Sequence, residues 1–255
     1  MTREANFNPR KDYEHCWYGE VCDRCDSDSC TYNCKRFEQT DYLFQMSNLP
    51  KNWWKPIKVP KAELDEHTLE ILETIRADID FFVKKGFNLY LYGGEGTGKT
   101  SWAIRLMNSY IAEIAERNNF VERVLFVSVP SFLSKAKLHI TSPSRYYIEL
   151  LNSIEKVDLV VWDEIGQTDK TNFEAQLLYS CINERLFAKK ANIFTGNVEP
   201  EKMKAYDLRL ASRICNNSDC LEFNGLDKRF MNTYEYYMNN IVEEDTNNGS
   251  TPTFE

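Results

Sequence analysis

A glycine-rich loop placed directly after a strand-like run constrains this chain more than any other feature. Residues 93–100 read Gly-Gly-Glu-Gly-Thr-Gly-Lys-Thr, which fills every position of the P-loop pattern G-x-x-x-x-G-K-[ST]. The apolar run Phe87–Tyr92 comes immediately before it. A strand that ends in such a loop and opens a helix aims several backbone N–H groups at one anion. The sequence therefore predicts a nucleoside triphosphate site, and a chance glycine-rich turn is a poor alternative.

The residues of this loop have distinct predicted roles. Lys99 can reach the β- and γ-phosphate oxygens of ATP, and Thr100 can offer its hydroxyl to Mg²⁺. The glycines let the backbone curl tightly around the phosphates. The other candidate nucleotide-binding residues are Gly93, Gly94, Glu95, Gly96, Thr97, Gly98 and Ser101.

An apolar run that ends in two acids supplies a second motif. The run Leu159–Trp162 is followed by Asp163 and Glu164, which is the Walker B pattern. Asp163 would hold Mg²⁺ directly or through water, and Glu164 would polarise the water that attacks the γ-phosphate. Two acids that open an exposed turn are the alternative interpretation, and the P-loop upstream favours a catalytic pair.

Strand-like and helical patterns alternate through most of the chain. Apolar residues at helical spacing run from Asp65 to Lys85, and Gly86 ends the pattern. The predicted strands are Phe87–Tyr92, Arg123–Val129, Val157–Asp163, Ala191–Thr195 and Leu221–Phe223. The helical patterns between them are Lys99–Arg117, Phe132–Leu138, Tyr146–Ile154, Phe173–Lys189 and Glu201–Cys215. This alternation predicts an α/β fold in which helices wrap a parallel sheet of five strands.

Polar residues after the fourth predicted strand extend the candidate catalytic set. Asn197 could contact the γ-phosphate or the lytic water as a sensor 1 residue, or it could be an ordinary turn residue before Pro200. Arg209 and Arg213 are four residues apart, on one face of a helix. A guanidinium offered across a subunit boundary would stabilise charge on the γ-phosphate during hydrolysis, whereas ion pairs with surface acids are the alternative.

The order of the motifs favours one class of ATPase. Another predicted strand, Arg123–Val129, lies between the two motif strands in sequence, and Glu164 directly follows the Walker B aspartate. Both features are typical of the additional-strand, catalytic-glutamate ATPases. A metabolic kinase fits less well, because paired arginines suit a self-assembling enzyme better.

Composition and charge limit the remaining function classes. The chain has 255 residues, of which 42% are hydrophobic, and a net charge of −8. It has no long uncharged apolar stretch and no signal-peptide core, so we expect a cytoplasmic protein with no membrane partner. Residues 231–255 hold five acids and no Lys or Arg, and we expect a partly disordered acidic tail there. A mildly acidic body argues against coating duplex DNA, so any nucleic-acid contact should be local.

A cluster of cysteines near the N-terminus predicts a metal site. The five are Cys16, Cys22, Cys25, Cys30 and Cys34. Their short spacings let thiolates converge on Zn²⁺ without strain, and zinc needs four ligands. We expect Cys25, Cys30 and Cys34 to bind the metal, with Cys16 and Cys22 competing for the fourth place. An iron–sulfur cluster is the alternative, which suits so short a unit less well.

A candidate surface for single-stranded DNA follows the second predicted strand. Residues 131–137 read Ser-Phe-Leu-Ser-Lys-Ala-Lys, and Arg145, Tyr146 and Tyr147 come shortly after. An aromatic ring with nearby cations can stack on a base and neutralise phosphate. An amphipathic helix with solvated lysines explains the same residues equally well.

Together these motifs resemble the AAA+ ATPases of the DnaC/DnaI type, which load the replicative helicase in bacteria and their phages, with the transposition ATPase IstB as close kin. The resemblance covers about residues 46–230, from Ser47–Pro50 to Gly225–Arg229. It implies that Arg213 is the arginine finger and that Arg229 is the sensor 2 arginine, which contacts nucleotide from the same subunit. It also implies a reduced lid and a zinc-binding N-terminal module that contacts the helicase.

The resemblance gives the leading hypothesis, which divides the chain into three parts. A Cys-rich module (residues 1–45) would bind a hexameric replicative helicase, an AAA+ domain (46–230) would bind and hydrolyse ATP, and an acidic tail (231–255) would follow. ATP at subunit interfaces would drive self-association, and the assembly would deliver the helicase to single-stranded DNA. The alternatives are an IstB-type transposition ATPase and a nucleotide-dependent protein that binds and inhibits the helicase.

Overall fold

A single parallel sheet forms the centre of the protein. The computed structural model describes residues 34–54, 65–166, 171–225 and 227. The strands in these ranges are β1 (Asn88–Gly93), β2 (Val124–Ser128), β3 (Leu159–Asp163), β4 (Ala191–Gly196) and β5 (Asp219–Phe223). All pair in parallel, in the spatial order β2-β3-β4-β1-β5. The predicted α/β fold with a five-stranded parallel sheet is therefore confirmed.

The strand that separates the two motif strands differs from the one that the sequence order suggests. In space, β4 lies between β1, which leads into the P-loop, and β3, which ends in the Walker B acids. Among the strands of the described ranges, β2 pairs only with β3 and forms one edge of the sheet. In space, the strand inserted between the two motif strands is thus β4 rather than the Arg123–Val129 segment, because the connection from β1 to β2 passes the positions of both β4 and β3.

Nine α-helices within the described ranges cover the sheet. They are α1 (Lys35–Met46), α2 (Glu66–Ala77), α3 (Ile79–Lys85), α4 (Lys99–Ile114), α5 (Val129–Thr141), α6 (Arg145–Lys156), α7 (Asn172–Phe187), α8 (Pro200–Tyr206) and α9 (Leu208–Cys215). Two segments that the periodicity predicts as single helices are each broken once. Asp78 leaves the helical region between α2 and α3, with φ −129° and ψ 46°. Asp207 separates α8 from α9, because its carboxylate accepts hydrogen bonds from the backbone N–H groups of Arg209 and Leu210.

Two apolar layers bury the sheet on both faces. Leu89 and Leu91 of β1 pack into the layer that contains α4, and Tyr90 between them packs into the layer that contains α7 and α9. Successive side chains of a strand point to opposite faces. The P-loop helix therefore lies on one face of the sheet, and the helix that carries Arg209 and Arg213 lies on the other.

Helix α1 and the segment after it pack on this core. Leu43 and Phe44 belong to the same apolar layer as α4, and the ring of Phe44 stacks on Trp54 at 5.4 Å between centroids. Beyond the helix, the carbonyl oxygen of Ser47 accepts a hydrogen bond from the N–H of Phe126 at 2.7 Å. Helix α1 lies almost wholly within the segment that the sequence assigns to the Cys-rich module, and it contacts the ATPase core directly.

Several predicted features lie outside the described residues. These are the cysteines Cys16, Cys22, Cys25 and Cys30, the sensor 2 candidate Arg229 with the lid after it, and the acidic tail. In the parts of the chain that the structure describes, no helix combines the length and the apolar character that a bilayer crossing requires.

Candidate functional site

The P-loop lies between the end of β1 and the start of α4, as predicted. Gly93, Gly96 and Gly98 have φ angles of +136°, +66° and +105°, which residues with a Cβ rarely adopt. A Cβ on Gly93 would also collide with the carbonyl oxygen of Phe223 on β5. Because the loop leads straight into α4, its backbone N–H groups lie at the N-terminus of that helix, where an anion is favoured.

The side chain of Lys99 folds back onto the P-loop. Its Nζ donates a 3.0 Å hydrogen bond to the carbonyl oxygen of Gly93 and a second, shorter one to that of Gly94. The side chain of Thr97 is buried and donates to the carbonyl oxygen of Gly94 at 2.9 Å. A buried ammonium held on the loop is in position to neutralise phosphate oxygens bound there.

The carboxylate of Asp163 is the point at which the two motifs meet. Its Oδ1 accepts hydrogen bonds from the hydroxyls of Thr100 and Thr195, each at 2.7 Å. Asp163 ends β3, Thr100 belongs to the first turn of α4, and Thr195 lies on β4. The predicted Mg²⁺ ligands Thr100 and Asp163 are thus adjacent, and both are oxygen donors of the kind that Mg²⁺ prefers.

Thr195 is a site residue that the sequence analysis missed. Its side chain is 1% exposed, and its hydroxyl also accepts a 3.1 Å hydrogen bond from the backbone N–H of Glu164. Its carbonyl oxygen accepts from the N–H of Ile165 at 2.8 Å. A hydroxyl residue in a strand whose other buried residues are mostly apolar is the signal that could have identified it.

The catalytic candidate Glu164 has a left-handed backbone conformation. Its φ is +61°, and its side chain is exposed at the sheet edge where β3 ends. Such a conformation is costly for a residue with a Cβ, and strained residues of this kind cluster at active sites. The two hydrogen bonds to Thr195 hold this turn in place.

Two further motif residues border the loop. Asn197 directly follows β4 and is exposed, at the same edge of the sheet as Asp163. The carboxylate of Asp227 occupies the space that a Cβ on Gly96 would need. The segment Gly225–Arg229 therefore reaches the P-loop at Asp227, while Arg229 itself lies outside the described residues.

Arg209 and Arg213 share one tyrosine. Both guanidinium carbons lie 5.7 Å from the ring centroid of Tyr179 on α7, and Nη2 of Arg213 donates to the Tyr179 hydroxyl at 3.3 Å. Among the described residues, neither arginine has a carboxylate partner. The alternative of an arginine pair bridged to surface acids therefore finds no support in this part of the chain.

The candidate DNA surface is only partly available. Phe132 and Tyr147 are buried and stack on each other at 5.8 Å between ring centroids, so the expectation that they could stack on a base is wrong. Tyr146 is 46% exposed, with the ammonium of Lys135 4.8 Å from its ring centroid. Arg145 projects into solvent at the start of α6. The cations and rings of this surface that remain accessible are half-buried Lys135 and exposed Lys137, Arg145 and Tyr146. Lys137 forms an ion pair with Glu174 at 2.9 Å, and Arg145 forms one with Glu149 at 2.7 Å.

Only one residue of the predicted zinc site can be described. Cys34 is a partly exposed free thiol at the N-terminus of α1. In the described ranges, no group of three or more acidic, Cys or His side chains could hold a metal ion.

Comparison with known proteins shows which family and which solved structures this chain resembles. A family model described as IstB-like ATP binding protein matches residues 39–217. The replicative helicase loader DnaI of Bacillus subtilis (strain 168) is 26% identical over 121 residues, which is 47% of this chain and 36% of that protein. This chain therefore matches only about a third of the length of that curated relative.

Two solved structures share the fold. A crystal structure of the DnaC helicase loader has a TM-score of 0.57 at 17% identity, and it covers 69% of this chain and 100% of that one. A crystal structure of DnaI has a TM-score of 0.56 at 21% identity and covers 70% of this chain and 96% of that one. At these identities the likeness concerns the fold.

Proposed function

Because this chain belongs to the IstB-like ATP-binding protein family, we propose that it is an ATPase that loads a replicative DNA helicase onto single-stranded DNA in the cytoplasm. The observation that carries the ATPase part of this proposal is the Asp163 carboxylate, and the helicase-loading part is supported by the similarity to the loader DnaI. The Asp163 carboxylate joins the P-loop through Thr100 and the catalytic candidate Glu164 through Thr195. One carboxylate thus links a residue that would contact bound nucleotide to the one that would activate water.

Each residue of the site has a separate task in ATP hydrolysis. The N–H groups of residues 94–100 bind the phosphates, and Lys99 neutralises the β- and γ-phosphate oxygens. Thr100 and Asp163 would hold Mg²⁺, which would supply positive charge to stabilise the transferred phosphate. Glu164 accepts a hydrogen bond from the attacking water and orients it, and Asn197 contacts the γ-phosphate or that water from the end of β4.

Self-association completes the site in this proposal. Arg213 lies on the helical layer opposite the P-loop helix and is held by Tyr179 of its own chain. From that position the guanidinium can contact nucleotide bound by another subunit more readily than nucleotide bound by the same subunit. Arg229 follows Asp227, which lies against Gly96, and this neighbourhood supports a contact from Arg229 to nucleotide in the same subunit.

Helicase binding is assigned to the N-terminal cysteines. Four thiolates from Cys16, Cys22, Cys25, Cys30 and Cys34 would bind Zn²⁺ and give a small, fixed unit for partner contact. Cys34 directly precedes α1, which packs on the ATPase core. A partner bound to the cysteines would therefore be joined to the core through one helix. For single-stranded DNA, the proposed contacts are Lys135, Arg145 and Tyr146.

Steady-state ATP hydrolysis tests the catalytic assignment. Glu164→Gln and Arg213→Ala should each lower turnover by at least about 100-fold, because general-base assistance and arginine fingers contribute factors of this size. Glu70→Gln, at an exposed glutamate of α2, is the matched control and should hydrolyse ATP normally. Unchanged turnover in both active-site variants would remove the assigned roles.

Copurification with a hexameric replicative helicase tests the partner. The full chain should retain the helicase in an ATP-dependent manner and contain one zinc per chain, and replacing the five cysteines by Ser should abolish both. Loading should raise the amount of helicase on single-stranded DNA. A fall in helicase activity would instead identify an inhibitor, and failure to bind helicase would favour the IstB-type alternative.

A further inference from the structure

Tyr179 has an unusual position between two cations. It lies half-buried on α7, and the two guanidinium groups of α9 approach the same ring, each at 5.7 Å from its centroid. The Arg213 guanidinium also donates to the tyrosine hydroxyl at 3.3 Å. Tyr179, Arg209 and Arg213 together form an arginine–tyrosine cluster.

The ring has a clear physical effect on the arginines. Like charges four residues apart on a helix repel each other. The negative face of an aromatic ring attracts both guanidinium groups and partly offsets that repulsion. The hydrogen bond to the hydroxyl further restricts the rotamers of Arg213, so the pair loses less conformational entropy when it binds an anion.

Within the described ranges, the cluster lacks the acidic partners that a purely structural arrangement would have. Among the described residues no carboxylate neutralises either cation, and the buried Nε of Arg213 has no hydrogen-bond partner. Two positive charges held close together without an acid are suited to a multiply charged anion. The cluster also lies on the opposite helical layer from the chain's own P-loop helix.

We propose that Tyr179 is a positioning residue that holds Arg209 and Arg213 as one anion-binding pair for the triphosphate bound by a second copy of this chain. The inference rests on the proposed self-association and extends it, because it adds Arg209 to the interface and makes both arginines depend on a residue of another helix. Tyr179 itself touches no nucleotide in this scheme.

Sedimentation velocity with Mg²⁺ and a non-hydrolysable ATP analogue tests the proposal. Tyr179→Leu should weaken nucleotide-dependent self-association by about 5- to 30-fold, as expected for two lost cation–π contacts of ordinary strength. Tyr179→Phe keeps the ring and should stay within about threefold of the wild-type chain. Tyr42→Leu is the matched control, since Tyr42 is a half-buried tyrosine of α1 with an edge contact to Phe120, and it should assemble normally.

Two further measurements separate positioning from folding. Binding of a fluorescent ATP analogue to dilute, unassembled chain should be the same in wild type and Tyr179→Leu. In an Arg209→Ala background, which keeps Arg213, adding Tyr179→Leu should weaken assembly by less than it does in the wild-type chain, because one of the two cations that the ring holds is already gone. A loss of assembly that is equally large in both backgrounds would show a merely structural role and overturn the inference.

The outcomes also distinguish this inference from the function on which it rests. If Arg213→Ala abolishes assembly while Tyr179→Leu assembles like wild type, only the role of Tyr179 is refuted. If the wild-type chain does not associate with nucleotide present, the proposed self-association and the role of Tyr179 are both refuted. If Arg213→Ala associates normally, self-association stands, but the roles of Arg213 and Tyr179 in it are refuted.

Discussion

Replacing Thr195 with Val tests whether one hydroxyl connects the Walker B turn to the P-loop. Val keeps the branched shape but removes a donor to Asp163 and an acceptor for the N–H of Glu164. Asp163 keeps its bond from Thr100, so the loss is one of two charged hydrogen bonds together with one neutral one. These are worth about 2–4 kcal/mol in total.

This loss should be visible in both stability and catalysis. For a domain of this size the thermal midpoint should fall by about 4–16 °C, measured by circular dichroism. Turnover should fall by about 10- to 100-fold, since the strained turn at Glu164 loses an anchor, which corresponds to roughly 1.4–2.7 kcal/mol of activation free energy. The Kd for nucleotide should change little, because the phosphate-binding N–H groups are untouched.

Thr195→Ser separates the hydroxyl from the shape of the side chain. Serine restores both hydrogen bonds and loses one methyl group, so its turnover should stay near that of the wild-type chain. Equal impairment of Thr195→Ser and Thr195→Val would attribute the effect to packing. Wild-type turnover and stability in Thr195→Val would refute the coupling outright.

Three further predictions concern other parts of the structure. Hydrogen bonds at the start of α7 and from Lys137 hold the pKa of Glu174 at about 2, below its ordinary 4.5, so its stabilisation is present above pH 4.5 and is lost as the pH falls toward 2. The thermal midpoint of Glu174→Gln should therefore be about 2–6 °C below that of the wild-type chain at pH 7, and this difference should disappear below pH 4. A difference that is independent of pH would contradict this. Arg185 is 1% exposed and donates to several backbone carbonyls. Arg185→Met should therefore lower the free energy of unfolding, measured by urea denaturation, by about 3–5 kcal/mol. Unchanged stability would show that those carbonyls find other donors. Gly93→Ala should lower the thermal midpoint, because its Cβ would collide with the backbone of Phe223. Gly94→Ala is the control and should leave the midpoint unchanged, because a Cβ there meets only ordinary contacts. Equal midpoints in the two variants would refute the steric argument.

The sheet and the two nucleotide motifs could be predicted from the sequence because their signals are local. Buried parallel strands are short apolar runs, and the P-loop spacing follows from the geometry of one turn. The same periodicity concealed the breaks at Asp78 and Asp207. The helices on either side of each break bury apolar residues in the same layer, so a 3.6-residue pattern continues through a residue that is not helical.

Contacts between elements could not be predicted in the same way. Strands β3 and β4 pair so that Trp162 lies opposite Phe194, which makes Asp163 and Thr195 neighbours one residue further on. That register depends on a sheet order that differs from the order in sequence. Tyr179 was missed for a similar reason, since only the packing of α7 on α9 brings it to the arginines. The resemblance to DnaC/DnaI-type proteins is confirmed at the level of the family.

The residues that follow α1 cover part of the β2 edge of the sheet. Strand β2 is an outer strand, and an outer strand with free N–H and C=O groups invites a foreign strand to add on. At Phe126 both groups are already engaged, the N–H by the Ser47 carbonyl and the C=O by the Asn48 amide at 2.9 Å. A truncated protein that begins after residue 50 would expose these backbone groups, and it should aggregate even though every catalytic group is intact.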